Sequence, residues 1–293
     1  MMNRRDFLAV STASLTLGGL ARGVLGAESN GLTVMHIIRI QFEPGISPQL
    51  RAKLTATINR FKQIHIPDKF IVGRDLAEPG ATAYDRAQIS FLGSEKAFHD
   101  YFYAPIHLAA DREAYDSKEK AFASISSFDT IHGGDAALPT RLSKIMADRE
   151  AKFKANDTRP TSPPAPDRPE DQKWNYGHTI FRIVRLDLSS MADDQKKARF
   201  AAMEKCRQIQ GVQQVFYGEN TQRNAGDRFT HTMFVALASE EAYRTYLTSP
   251  IHDQERVSGK QLPKEAVLHF DVLDPNDEEL AGRVRKLHAE TAQ

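Results

Sequence analysis

The sequence predicts an α+β fold in which two β-α-β-β-α-β units pack their sheets together as a pseudodimeric α/β barrel. Three observations predict it. The first is a duplication: Tyr101-Phe102-Tyr103-Ala104-Pro105-Ile106-His107 recurs as Tyr246-Leu247-Thr248-Ser249-Pro250-Ile251-His252, 145 residues later. The same offset relates Leu92 to Leu237, Ser94 to Ser239, Glu95 to Glu240, Ala97 to Ala242 and Gly73 to Gly218, and sets Phe98 against Tyr243. A fixed offset held over so long a stretch marks an internal repeat. The second is the order of periodicities within each copy, two for strands and 3.6 for helices, in the sequence strand, helix, strand, strand, helix, strand. The third is physical. A four-stranded sheet with its helices on one face must bury the other, and a second copy in the same chain can cover it.

The elements follow in order. Residues 1–27 read as an address. Asn3-Arg4-Arg5-Asp6-Phe7-Leu8 resembles the twin-arginine export signal, and the Ala9–Leu25 stretch is too short and too polar for a membrane span, so no stable membrane insertion is expected after processing. The first unit occupies 32–132. Val34–Phe42 is a strand closed by Pro44-Gly45, and Ser47 caps a helix carrying Leu50, Leu54, Ile58 and Phe61 at helical spacing. Strands at 70–72 and 86–92 follow. Ser94-Glu95 then opens a short helix, Pro105 starts another with His107 in its first turn, and 123–131 is the closing strand. Residues 133–175 form a linker, with an exposed charged helix at 140–154 and an extended Pro-rich run at 159–169. The second unit, 176–274, repeats the plan with strands at 178–188, 212–217, 229–237 and 267–273 and a long helix from Ala192 to Ile209. Residues 275–293 read as a charged helical tail.

Composition narrows the function classes. The chain has 293 residues, with 39 basic and 38 acidic side chains and a net charge of +1. No basic face is implied, and nucleic acid is not an expected partner. Cys206 is the only cysteine, which excludes an intramolecular disulfide and a cysteine-rich zinc cage. It falls in a helical pattern with Phe200, Met203 and Ile209, as a buried structural thiol would. No Gly-rich phosphate loop and no nucleophile elbow is present, so no cofactor is expected.

The β-α-β-β-α-β order is the ferredoxin-like one. With His36 and His178 near the first strands, Gly73 and Gly218 after the second strands, the Ser-Glu helix starts and the Tyr-Pro-His corners, the sequence resembles the stress-responsive dimeric α/β-barrel (Dabb) family. The resemblance covers roughly 34–131 and 176–273. It implies an internal pseudodimer, with a homodimer also possible given the long linker, and a barrel that binds a small apolar or aromatic molecule.

In one branch of that family, the plant polyketide cyclases, a Tyr and a His spaced like Tyr246 and His252 carry out ring closure. The resemblance therefore implies a cyclase, isomerase or lyase as the alternative to simple binding. His252 would be the general base and Tyr246 the donor to the developing oxyanion, roles suited to an imidazole and a phenol. It adds His178 and His231 as ligand-binding residues of the second unit. In the first unit His36, Tyr101, His107 and Arg86 are the corresponding candidates, with Arg86 at the offset position of His231. His36 and His178 lie 142 apart, which requires three residues to be absorbed before Gly73. Three imidazoles, His178, His231 and His252, could also suit a metal, but their spacing matches no metal signature and no metal is expected. The plainest reading of the Tyr-Pro-His corner is structural, because Tyr and His can satisfy backbone groups at a turn.

Overall fold

The computed structural model describes residues 33–64, 66–77, 84–115, 121–155, 179–221 and 227–291. The predicted export signal, the Pro-rich run with Trp174, and His178 lie outside the described residues. The first unit comprises β1 (Thr33–Phe42), α1 (Pro48–Arg60), β2 (Lys69–Ala77), β3 (Arg86–Leu92), α2 (Glu95–Tyr103), α3 (Pro105–Tyr115), β4 (Phe122–His132) and α4 (Leu138–Lys154). The second comprises β5 (Ile180–Leu186), α5 (Asp193–Lys205), β6 (Val212–Thr221), β7 (His231–Leu237), α6 (Glu240–Leu247), α7 (Pro250–Val257), β8 (Val267–Leu273) and α8 (Glu278–Thr291). The predicted caps are used: Ser47, Ser94 and Ser239 accept from the backbone N–H of Leu50, Ala97 and Ala242.

The strands close into one barrel in the order β1-β3-β2-β8-β5-β7-β6-β4. Each unit supplies an unbroken half, and the halves join antiparallel at β2/β8 and β4/β6. At the second joint Gly218 is required by close approach, since a Cβ there would lie 2.0 Å from the carbonyl oxygen of Ile131. The duplicated units thus pair with each other within one chain.

Alternation decides which residues meet. Met35 and Ile37 of β1, Ile89 and Phe91 of β3, Phe181 and Ile183 of β5, and Phe234 of β7 turn inward as one buried cluster. Phe91 meets Phe216 and Phe234 edge-on at 5.7 and 5.2 Å, and Phe181 stacks on Phe234 at 5.8 Å. Farther along β1 and β5, Arg39 pairs with Asp75 (2.6 and 2.9 Å) over the Phe270 ring, and Arg185 pairs with Asp227 (2.6 Å) over Phe128. The interior is therefore packed with side chains along these strands. The Tyr-His corners lie elsewhere, against the outer face of the wall and beneath the helices.

Two further findings concern the helices and the alignment. The segments read as linker helix and charged tail each dock on their own unit. Leu138 and Leu142 of α4 join the first outer core, and Leu280, Ala281, Val284 and Leu287 of α8 join the second. Equivalent ion pairs fasten them, Arg141 to Glu95 at 2.8 Å and Arg283 to Glu240 at 2.5 Å. The strand register also shows that His36 and His178 are not counterparts. His36 lies opposite Ser90 and Asp129, and Arg182 lies opposite Val235 and Asp271. The residue in the place of His36 is Arg182, a slip of one position rather than three.

Candidate functional site

The second unit builds its outer core between β5, β7, β8 and the helices. Met233, Val235 and Leu237 are the outward residues of β7, and they pack with Met203, Cys206, Tyr243 and Tyr246. Pro250 begins α7 one turn after α6 ends, and this corner brings His252 over Tyr246 with ring centroids 4.4 Å apart. Tyr246 is fully buried and His252 is 8 % exposed. The Tyr246 hydroxyl and the His252 Nδ1 make no hydrogen bond among the described residues. Such atoms are uncommon in a dry interior, where each costs roughly 1–3 kcal/mol.

Their electrostatics follow from burial and neighbouring charge. Burial, then the Arg182 and Arg256 charges, lowers His252 to about 3, while its ring also hydrogen-bonds the Leu247 backbone. Burial, with Glu255 nearby, holds the Tyr246 hydroxyl well above the ordinary phenol range. Both groups are neutral at physiological pH. The imidazole carries one nitrogen with unused hydrogen-bonding capacity and the phenol one unused donor. Glu255 is buried, and burial raises its carboxyl against the pull of Arg199, which lies 3.5 Å away.

The same corner in the first unit is closed. Tyr101 accepts from Gln88 Nε2 at 2.7 Å and Ser90 Oγ at 3.2 Å. His107 Nδ1 accepts from Arg149 at 3.2 Å, lies 3.3 Å from Asp111, and is walled by the rings of Phe61, Tyr101 and Phe102. At the 145 offset the second unit has Met233 for Gln88, Val235 for Ser90, Cys206 for Phe61 and Leu247 for Phe102. Every one of these exchanges removes either a hydrogen-bond partner or a ring.

The other candidates separate. His36 is buried and bonds Asp129 at 2.9 Å beside Phe102, so it belongs to the filled first core. His231 starts β7 against Thr230 (2.8 Å) and Phe200, and burial lowers it to about 4; it is not brought to Tyr246 or His252. Arg86 is lowered by burial and by Arg74. The neighbouring Asp85 opposes that shift and also binds Arg51 and the Phe42 N–H. Among the described residues no three His, Cys, Asp or Glu side chains are grouped to hold a metal ion.

Sequence reasoning missed the polar group beside the site. Arg182 Nη1 donates to the Tyr243 hydroxyl at 2.5 Å and lies 3.3 Å from Asp271. Tyr243 donates to Asp271 at 2.8 Å, and His288 Nε2 is 2.6 Å from Asp271 and 2.7 Å from Tyr243. Burial pushes the Asp271 carboxyl up, but Arg182, His288 and Tyr243 outweigh it and hold the group below the usual range. The available signal was a lone carboxylate at the centre of an apolar strand, matched by Asp129 in the first unit.

Residues 180–272, within the second unit, match the family model described as Stress responsive A/B Barrel Domain. No curated protein matches the chain. Among solved structures, the chain is similar to a hydroxynitrile lyase from Passiflora edulis, at 21% identity and TM-score 0.29 over 35% of this chain and 95% of that one. It is similar to a dimeric ferredoxin-like protein of unknown function from Thermobifida fusca, at 20% identity and TM-score 0.27 over 34% and 91%. It is also similar to a candidate monooxygenase from Lactobacillus acidophilus, at 10% identity and TM-score 0.48 over 83% and 94%.

Proposed function

We propose that this chain is an exported α/β-barrel protein that binds a small, uncharged molecule at Tyr246 and His252 of the second unit, while the first unit's corner is structural. One observation carries the reading: among the described residues the buried Tyr246 hydroxyl and His252 Nδ1 have no hydrogen-bond partner, where Tyr101 and His107 are engaged. A ligand with one hydrogen-bond acceptor and one donor or polar hydrogen would satisfy both atoms, and an apolar or aromatic body suits Met233, Val235 and Leu247. Proton transfer by His252, as in a cyclase, isomerase or lyase, is the second reading, favoured by the close, tilted contact of the Tyr246 and His252 rings. An imidazole lowered to about 3 is a poor base near neutrality, so turnover requires the bound ligand to raise it.

The paired substitutions Tyr101→Phe and Tyr246→Phe test the asymmetry. Tyr101→Phe is expected to cost roughly 1–3 kcal/mol in urea unfolding, because Gln88 and Ser90 lose their acceptor. Tyr246→Phe is expected to be neutral or stabilising, and to weaken any phenol or carbonyl compound found to raise the melting temperature of the wild type. Equal destabilisation by both substitutions would reject the assignment.

Export rests on the Arg4-Arg5 pair followed by Phe7-Leu8 and the modestly apolar stretch after them. The precursor is expected to lose about 27 residues. Replacing Arg4 and Arg5 together by lysine is expected to leave it uncleaved in the cytoplasm, as read by fractionation and N-terminal sequencing. Unchanged localisation of that variant would overturn the proposal.

A further inference from the structure

Among the described residues, the barrel carries one lysine at an inward-facing strand position, and the proposed binding site does not use it. Lys69 is the first residue of β2 and lies opposite Phe91 of β3, at the end of the barrel away from Arg39 and Arg185. Its ammonium group lies 5.4 Å from the Phe181 ring centroid and donates to Gln214 Oε1 at 3.4 Å. Gln214 is the residue of β6 in the equivalent position, 145 residues on, so the two-fold repeat brings a lysine and a glutamine together across the barrel. Gln214 is 7 % exposed, and its Nε2 makes no hydrogen bond among the described residues. A lysine can only donate, so the amide must turn its oxygen to Lys69 and leave its N–H2 for something else.

We propose that Lys69 and Gln214 form a carbonyl-capturing site, in which the Lys69 amine forms an imine with a small aldehyde. The unprotonated amine attacks the carbonyl carbon, and the carbonyl oxygen takes up a proton to give a carbinolamine. Loss of that oxygen as water leaves the carbon–nitrogen double bond, so the balance is amine plus aldehyde to imine plus water, with no change of oxidation state. Gln214 Oε1 orients the nitrogen, and Gln214 Nε2 is free to donate to the oxygen as it becomes negative. The Phe181 face gives the aldehyde an apolar seat. Lys69 as a residue is half-buried at the start of β2, on the end of the barrel.

Burial also pulls the Lys69 amine down to about 8, so near neutrality a far larger fraction is unprotonated than in an ordinary lysine. A pKa near 8 against ~10.4 implies roughly a hundredfold more free amine at pH 7. Exposed lysines such as Lys53 and Lys96, with 61% and 83% of their side-chain surface accessible, provide the internal comparison.

The test is reductive trapping on the full chain. The protein is incubated with benzaldehyde and sodium cyanoborohydride at pH 7, and the benzylated lysines are located and timed by peptide mass mapping. Lys69 is expected to be labelled at least ~10-fold faster than Lys53 or Lys96, and its rate to level off above pH ~8. Gln214→Leu is expected to slow Lys69 alone, and Lys69→Arg to abolish that label and leave the others unchanged. Labelling of Lys69 no faster than Lys53, or a rate still rising past pH 10, overturns the proposal. So does protection of Lys69 by inorganic phosphate without any trapped adduct, since the site would then be an anion seat. The readout on wild-type protein stands even if a variant fails to fold, and it is independent of Tyr246 and His252.

Discussion

Asp271→Ala is expected to lower the stability of the protein by about 3–5 kcal/mol, the largest effect of any single substitution considered. Asp271 is fully buried and is the shared acceptor of Arg182, Tyr243 and His288. Removing it leaves the Arg182 guanidinium, itself 4 % exposed, without its nearest carboxylate in an apolar wall. The penalty is that uncompensated charge, not the worth of the salt bridge. Replacing the whole group, with Arg182→Met, Tyr243→Phe, Asp271→Leu and His288→Leu together, is accordingly expected to restore most of the loss. Asp129→Ala in the first unit is expected to cost less, because its partners His36 and Thr221 can both be neutral. Urea unfolding of the three proteins checks this. A cost below ~1 kcal/mol for Asp271→Ala would mean that water reaches the group.

The same residues show what could be read in advance. The Tyr-Pro-Ile-His repeat and the strand periods were enough to give two half-barrels, because core patterning is local. Docking of α8 was not legible. Glu278, Glu279, Arg283, Arg285 and Lys286 dominate its composition, and the apolar line Leu280, Val284 and Leu287 acquires meaning only when a groove beside α6 receives it. Arg182 and Arg185 stand in a strand that is otherwise Ile, Phe, Val and Leu, and their partners Asp271 and Asp227 are distant in sequence. The Tyr-His pair was legible as a motif. Which copy is engaged depends on whether Gln88 and Ser90, or Met233 and Val235, face the phenol, and a one-residue slip in strand register reverses such facing. The match of His36 to His178 failed on a related slip.

Acid is expected to destabilise the protein well before its carboxylates titrate, and His252 is expected to account for roughly 3 kcal/mol of the loss by pH 4. His252 takes its proton near 6.5 when the chain is unfolded but at about 3 when folded. Between those values the unfolded chain binds the extra proton, so stability is fully present above pH 6.5 and falls as pH drops toward 3. His231, lowered to about 4, acts in the same direction. Glu255 and Asp75 oppose them, since burial raises their carboxyls and the folded state protonates them first. The difference between wild type and His252→Gln isolates one contribution from this sum. Urea unfolding at pH 7.0, 5.5 and 4.5 is expected to show the wild type losing stability faster than the variant, with the gap widening at each step. Parallel losses in the two proteins would place His252 in contact with water. A ligand that occupies Nδ1 is expected to add a pH dependence of its own, its affinity flat above pH ~5 and falling only as the imidazole gains a proton.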